Sequence, residues 1–546
     1  MPASAQQVTV LTALRIDTMD VAVPRADAMA FDASGKILAL GSVDALLQRY
    51  PGAARIDAGQ ATVIPGMIDA HGHILGLGVA KLTADLVDTT SKDEIVQRLR
   101  DFARDLPPGD WLLGGGWDQN DWAQHDFPTA ADLDAAFPDR PVWLSRIDGH
   151  AGWANSAAMR AVKRDLGGTS RDAGWQPDGG RIVRDAQGQA TGVFVDGAMA
   201  LVDGVVPAGD PALVERELKL AMQDAVAHGL TGVHDASISL ETLRVYQKLA
   251  DRGEMPMRIT AMADGDSDAL NWLCKNGLYQ HPSHRLKMRM VKVFIDGALG
   301  SRGAALLKDY SDDHGNLGLL MMPPEQMDAL AVKAKGCGVQ VATHAIGDRG
   351  NRVVLDAYSK ALGNDATTTD HRWRVEHAQI LSPEDLPRLA KMHVIASMQP
   401  THATSDMPWA EDRLGPQRIV GAYAWRQLRD SGARLALGSD FPVESVDPRL
   451  GLYSATTRTD AAGMPVGGWH PEEKLTAYEA LRGFTLDAAY AGFAEGEVGS
   501  LAPGKRADFV LLAQDPLTIP PAQLRDLTVL ATYVDGKPVY EAAATP

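Results

Sequence analysis

The chain has 546 residues, 45% of them hydrophobic and 23% charged, which is the composition of an ordinary globular protein and long enough for one large barrel with additions or for several domains. Acidic residues outnumber basic ones 70 to 53, a net charge of -17, which argues against nucleic acid or an anionic membrane as partner because both demand basic surface. Two cysteines, Cys274 and Cys337, are too few for a disulfide framework or a thiolate-built metal site, and no apolar run is long enough to predict a membrane-spanning helix.

The start, MPASAQQ, has neither the charged nor the apolar region of a signal peptide, yet Ala3-Ser4-Ala5 ahead of two glutamines has the texture of a small-residue cleavage site. Two compartments stay open: the cytoplasm, or the periplasm or exterior after removal of a signal. The first sixty residues are short β-type pieces with a turn at Asp32 to Gly35, and the last fifty have the same texture, with a hairpin signal at Asp535-Gly536. Neither end holds enough strands for a sheet of its own, so residues 1–64 and 497–546 are expected to pair into one small β-sandwich.

Residues 65–496 alternate apolar strands with amphipathic helices. Strands are predicted at 63–70, 231–236, 289–295, 339–344, 372–377, 394–399 and 434–440, and helices between the last four at 350–361, 383–392 and 417–429. Alternation of this kind means a parallel sheet, and this many units imply an α/β fold of the TIM type, a (β/α)8 barrel. One strand is missing from the series. Residues from about 101 to 210, rich in Gly, Trp, Asp and Pro, are too many for a connection; they are read as an insertion that also supplies the second barrel strand, at 111–114 or 142–145. Such an insertion would lie at the catalytic mouth and shape a pocket for a small-molecule substrate. Its tryptophans, Trp111, Trp117, Trp122, Trp143 and Trp153, either line that pocket or form the core of the insertion.

The chemistry begins at VIPGMIDAHGHI. Side chains at i and i+2 of a strand point the same way, so His71 and His73 converge on one point. Downstream, Lys292 lies inside RMVKVFIDG, His344 ends QVATHA, His377 ends WRVEHA and Asp440 ends LALGSD, each in or at the end of a predicted strand. Barrel enzymes gather their functional groups at those carboxyl ends, so residues far apart in sequence can share one site. Imidazoles with a carboxylate and no thiolate suit zinc first, with manganese, iron, cobalt or nickel also compatible. An ordinary lysine is cationic and would repel a metal. Lys292 is therefore either carboxylated to a carbamate or a buried lysine paired with Glu376 or Asp296.

Taken together, PGMIDAHGH, VKVFIDG, THAIGD, RVEHAQ, GSDFPVE and LAPGKRADFVLL, with GWDQNDW and DGHAGWANSAA in the insertion, resemble the amidohydrolase superfamily and within it amidohydrolase family 3, which includes N-substituted formamide deformylases. The resemblance spans nearly the whole chain. It implies a distorted barrel, a β-sandwich from both termini, and one or two divalent ions held by His71, His73, carboxylated Lys292, His344, His377 and Asp440. In that scheme His71, His73 and Asp440 hold one ion, His344 and His377 the other, and the carbamate bridges.

The reaction implied is hydrolysis of an amide, N-formyl or N-acyl bond, with Asp440 passing a proton from water to the leaving amine. His150 and Trp117 are candidate substrate contacts, and Asp118 either orients the pocket or caps a turn. A deaminase, or a lactonase or esterase, would use the same centre, whereas a non-catalytic metal or solute binder would have no use for a carboxylate placed like Asp440. A homo-oligomer is compatible with the sequence.

Overall fold

The structure is a computed structural model that describes residues 7–107, 109–166, 174–207 and 209–543; the cleavage-site reading falls mostly on residues 1–6, outside them. Its centre is a nearly closed barrel of eight parallel strands: β1 (Met67–Gly72), β2 (Leu230–Ile238), β3 (Arg258–Asp264), β4 (Leu286–Phe294), β5 (Gln340–Ala345), β6 (Arg374–His377), β7 (Ile395–Met398) and β8 (Leu435–Leu437). Helices alternate with most of the strands. Asp348–Leu362 is representative: Val354, Leu355, Tyr358 and Leu362 fall on one face and are buried.

The barrel strand missing from the sequence reading is β3, not a piece of the insertion. RITAMAD was overlooked because its buried interior is small: Ala261 and Ala263 are fully enclosed, and Met262 packs inside the barrel with Ala236, Met290 and Ala342. Residues 111–114 and 142–145, proposed for that role, belong to a separate six-stranded sheet whose strands run from Ala84–Asp85 to Ala190–Asp196. A core built around Trp117, Trp122 and Trp153 fills one side of that sheet.

The expected strand at 63–70 is two strands. Thr62–Pro65 pairs antiparallel with Phe509–Leu512 near the other end of the chain, while β1 pairs with β2. Gly66 makes the change of sheet, in a space so tight that a Cβ there would lie 2.1 Å from Oγ1 of Thr231. The terminal sheet has eight strands drawn from both ends of the chain. Phe31 and Phe509 meet with ring centroids 6.1 Å apart although two strands separate theirs in the sheet order, so the sheet folds over an apolar filling. Asp535 and Gly536, both at positive φ (53° and 69°), make the two-residue turn between Val529–Val534 and Lys537–Glu541.

β1 and β8 meet at the seam of the barrel through Asp69. Its carboxylate accepts from the backbone N–H of His71 (3.0 Å) and from the N–H (3.1 Å) and hydroxyl (2.6 Å) of Ser439. Gly438 permits this approach, since a Cβ there would stand 2.5 Å from the Asp69 carboxylate. Asp440 N–H then donates to His71 O at 2.7 Å.

The two cysteines pair with each other. Cys274, in the helix Asp268–Asn276, is bonded to Cys337, at the end of the helix Pro324–Gly336, across 63 residues of sequence. Closing a loop of that length stabilises a fold by about 2–4 kcal/mol in typical cases. Reductant is therefore expected to lower the thermal midpoint of the wild-type protein and to leave a C274S/C337S variant, which starts from the lower value, unmoved. Thiol titration of the denatured, unreduced protein should find no free cysteine.

Candidate metal centre

The carboxyl ends of the strands bring most of the singled-out residues together. β1 delivers His71, fully buried, and the chain just beyond it delivers His73; their Nε2 atoms lie 3.4 and 3.1 Å from Oδ1 of Asp440, which follows β8. Lys292 of β4 is 1% exposed, with Nζ 3.0 Å from Nε2 of His71. His344 and His377 end the adjacent strands β5 and β6, their rings 4.6 Å apart, and the His377 ring stands 5.0 Å from that of His71. His377 (φ 68°) and Asp440 (φ 66°) both hold left-handed backbone, a conformation worth about 1–3 kcal/mol of strain each at non-glycine positions, and one that the strand ends impose.

A buried polar layer beneath the cluster fixes the imidazoles. Glu376 Oε2 accepts from Nδ1 of His71 at 2.5 Å and from Arg374 at 2.8 Å, while its other oxygen bonds Nε of Arg374. Arg374 also reaches Ser397 Oγ (2.7 Å), Nδ1 of His234 (2.9 Å) and the carbonyl of Ala70. Gln399 takes Nδ1 of His377 at 2.8 Å. With Nδ1 committed in both rings, the Nε2 lone pairs are left facing the cluster.

Electrostatics suit a cation. Burial, reinforced by the nearby Lys292, pulls the His71 imidazole down to about 4, and burial keeps His344 and His377 well below the usual range, so all three are neutral donors. Burial would raise Asp440, but the surrounding histidines hold it well below the usual carboxylate range. Burial pulls the Lys292 amine down to about 8 against the opposing pull of Glu376 and Asp440. Oδ1 of Asp440 is buried between Nε2 of His71 and Nε2 of His73, at 3.4 and 3.1 Å, so one carboxylate oxygen and two imidazole nitrogens are close enough to share one ion. Among the described residues, two trios have donor atoms mutually within 4.8 Å: His71, His73 and Asp440, and His377, His402 and Asp440. Neutral imidazoles with an ionised carboxylate fit a divalent ion.

His344 stands against the cluster but belongs to neither trio; its Nε2 faces the Gly297 carbonyl at 3.5 Å. His402, absent from the sequence reading, occupies the start of the short helix Pro400–Asp406, its ring 5.8 Å from His377. The only signal for it was a histidine four residues past β7. Lys292 does not pair with Asp296, whose carboxylate is taken by the N–H groups of Ala305, Ile346 and Gly347, nor form an ion pair with Glu376, which Arg374 and His71 hold.

Above the cluster lies a cavity of about 440 Å³, walled by the barrel loops and by the insertion. His150 lines it, with Nδ1 2.7 Å from Asp196 and its ring 4.9 Å from His344. Trp117 does not. Its indole is fully enclosed in the core of the inserted sheet, Nε1 bonded to Leu144 O at 2.9 Å, because strand alternation turns Asp118 rather than Trp117 to the cavity. Asp118 is bonded there to Arg146, and it also caps the short turn 119–121 through Asn120 N–H.

A barrel with this mouth is the scaffold of metal-dependent hydrolases. Solved structures of uncharacterized metal-dependent hydrolases from Pyrococcus horikoshii and Pyrococcus furiosus superpose with TM-scores of 0.76 and 0.73 at 26% identity, each over 94% of this chain and 99% and 100% of theirs. The chain matches the amidohydrolase family over residues 54–540 and belongs to that family, in its family 3. Similar relatives include YtcJ of Bacillus subtilis (37% identical, 93% of this chain and 94% of that one) and the N-substituted formamide deformylase of Arthrobacter pascens (31%, 90% of each). Protein LONG AFTER FAR-RED 3 of Arabidopsis thaliana is 34% identical over 96% of this chain and 90% of its own.

Glu376→Gln removes the charge that orients His71 and leaves Arg374 buried without its partner. Metal affinity, measured by competition with a chelator, should fall about 10–100-fold. Stability should fall by about 3–5 kcal/mol.

Proposed function

We propose that the protein hydrolyses the carbon–nitrogen bond of a small N-acyl or N-formyl compound, with zinc as the first choice of metal in a centre of one or two ions. The observation that carries the reading is Asp440: an ionised carboxylate at the end of β8, beside the imidazole nitrogens of His71 and His73, on the floor of the cavity. Membership of the family and the metal-dependent hydrolase neighbours support a hydrolase, and the formamide deformylase among the relatives favours an acylated nitrogen. His71, His73, His377, Asp440, His344 and Lys292 would hold the metal, the lysine as a carbamate. In forming it, the neutral amine adds to the carbon of carbon dioxide and loses one proton, giving a group of charge -1 with two oxygens in place of a cation.

A divalent ion held there supplies Lewis acidity, polarising a carbonyl and making water a usable nucleophile near neutral pH. The protein does the rest. Asp440 takes the proton that water loses on attacking the carbonyl carbon and returns it to the nitrogen, so that the C–N bond breaks to a carboxylic acid and an amine. His150, its Nδ1 bonded to Asp196, presents its other ring nitrogen to the substrate. The inserted sheet covers the mouth and limits water around the developing charge.

Metal-quantified protein is expected to release amine from at least some members of a panel of N-formyl and N-acyl amines. Turnover of lactones and esters alone, or ammonia release from aminated heterocycles without acyl cleavage, would overturn the reading. Asp440→Asn should cut kcat by about 100-fold or more in protein shown still to contain metal. Reconstitution of metal-stripped protein should require bicarbonate. Lys292→Ala should lose metal and recover part of it with short carboxylic acids, and carbon-13 bicarbonate should give a carbamate resonance that this variant lacks.

A further inference from the structure

The walls of the cavity are far more acidic than its floor requires. Besides Asp440, the side chains of Asp88, Asp118, Asp121, Asp148, Asp406 and Glu444 line it, contributed by the insertion and by the loops after β7 and β8. Among the described residues lining the cavity, Arg146 is the sole lysine or arginine, and it is spent: its terminal nitrogens bond Asp118 and Asp148, and its Nε bonds Gln119 at 2.8 Å. The hydrogen-bond partners of Asp406 and Glu444 are neutral groups. Asp406 accepts from the hydroxyl of Tyr423 (2.6 Å) and the amide of Gln379 (3.2 Å), and Glu444 from the hydroxyl of Ser405 (2.6 Å).

A second observation also points to a ligand. His402 is 8% exposed and lines the cavity, yet its buried Nε2 has no hydrogen-bond partner and lies 3.7 Å from Oδ2 of Asp440. With the metal held by His71, His73, His344, His377, Lys292 and Asp440, as proposed above, the open Nε2 of His402 is left for a polar group of a bound molecule.

From these two features we propose that the cavity takes a substrate whose non-reacting end is a cation, an ammonium or guanidinium, bound by Asp121, Asp406 and Glu444 while its acyl group lies against Asp440 and His402. Asp406 and Glu444, which lie close enough to repel one another and have no lysine or arginine partner among the described residues, are costly to desolvate; a cationic ligand removes both costs, whereas a carboxylate on the ligand adds to them. Burial pushes Asp406 and Glu444 up to about 7, in keeping with groups that lack a cation. The arrangement also sets direction: the cation is drawn to the acidic wall and the carbonyl to the floor, so the bond to be cut arrives in one orientation. N-acyl amino acids, which carry a carboxylate, are disfavoured. The inference rests on the hydrolase reading only for the reaction at the floor; the charge preference belongs to the walls.

Three acetamides of similar size and different terminal charge test it on the metal-replete protein: N-acetylputrescine, N-pentylacetamide and N-acetyl-γ-aminobutyrate, each with its formyl counterpart. The cationic compound should exceed the neutral one in kcat/KM by about tenfold or more, and the anionic one should be the poorest. In Asp406→Asn and Glu444→Gln the ratio of cationic to neutral should fall towards one. Hydrolysis with neutral or anionic compounds equal to or better than the cationic one would overturn the inference and leave the hydrolase reading standing. If none is hydrolysed, the hydrolase reading loses its support, and the thermal shift that each compound gives the protein decides the inference: a larger shift with the cation upholds it, and equal shifts overturn it.

Discussion

Everything at the mouth of this barrel depends on one buried carboxylate. Glu376 sits with no exposed surface between Arg374 and His71, and burial alone would neutralise it; the guanidinium and the imidazole instead hold it ionised, well below the usual range. Through Arg374 the same charge is tied to β1, β2 and β7, by the carbonyl of Ala70, by His234 and by Ser397. The interior of the barrel is thus cross-linked by a polar layer where hydrophobic side chains would pack more cheaply. Such a layer is costly to desolvate, and what it provides is direction: His71 cannot turn its Nε2 away from Asp440 without breaking it.

The layer also explains how several neutral histidines and an ionised aspartate coexist in a closed space. Arg374 puts a permanent positive charge below the cluster, Glu376 cancels it locally, and the imidazoles above are left uncharged by burial. Lys292 is the remaining cation, and it has a histidine rather than a carboxylate for its neighbour. Burial holds a lysine so placed at about 8, so gain or loss of its proton changes the charge of the cluster near neutral pH.

Legibility followed local pattern. His71 and His73 could be read because two residues of strand spacing sit in an apolar run, and His344, His377 and Asp440 because each closes such a run. β3 escaped notice since Ala261 and Ala263 carry little hydrophobic signal, although both are buried against the outer layer while Met262 between them packs inside the barrel. His402 lies just past its strand in a helical turn, where no periodicity marks it. Trp117 was misassigned for the opposite reason: a large aromatic in a glycine-rich segment suggests a pocket, but three tryptophans in mutual contact need one another to make a core. The crowding of acids in the cavity was invisible because its members come from segments hundreds of residues apart. The pairing of the two ends of the chain, by contrast, was announced by their shared texture.

Gly66 joins the terminal sheet to the barrel within one continuous run of chain, and the partner of Thr62–Pro65 is Phe509–Leu512. During synthesis, the segment that carries His71 and His73 emerges early, but the strand that leads into it has an open edge until more than four hundred further residues have been made. A ribosome that stopped short of residue 509 would release a chain with all the candidate metal ligands discussed here and, directly before the first of them, a strand paired with Val8–Asp17 on one edge and open on the other. Among the described residues, those of the last forty line no part of the cavity, yet they supply the strand that closes this edge.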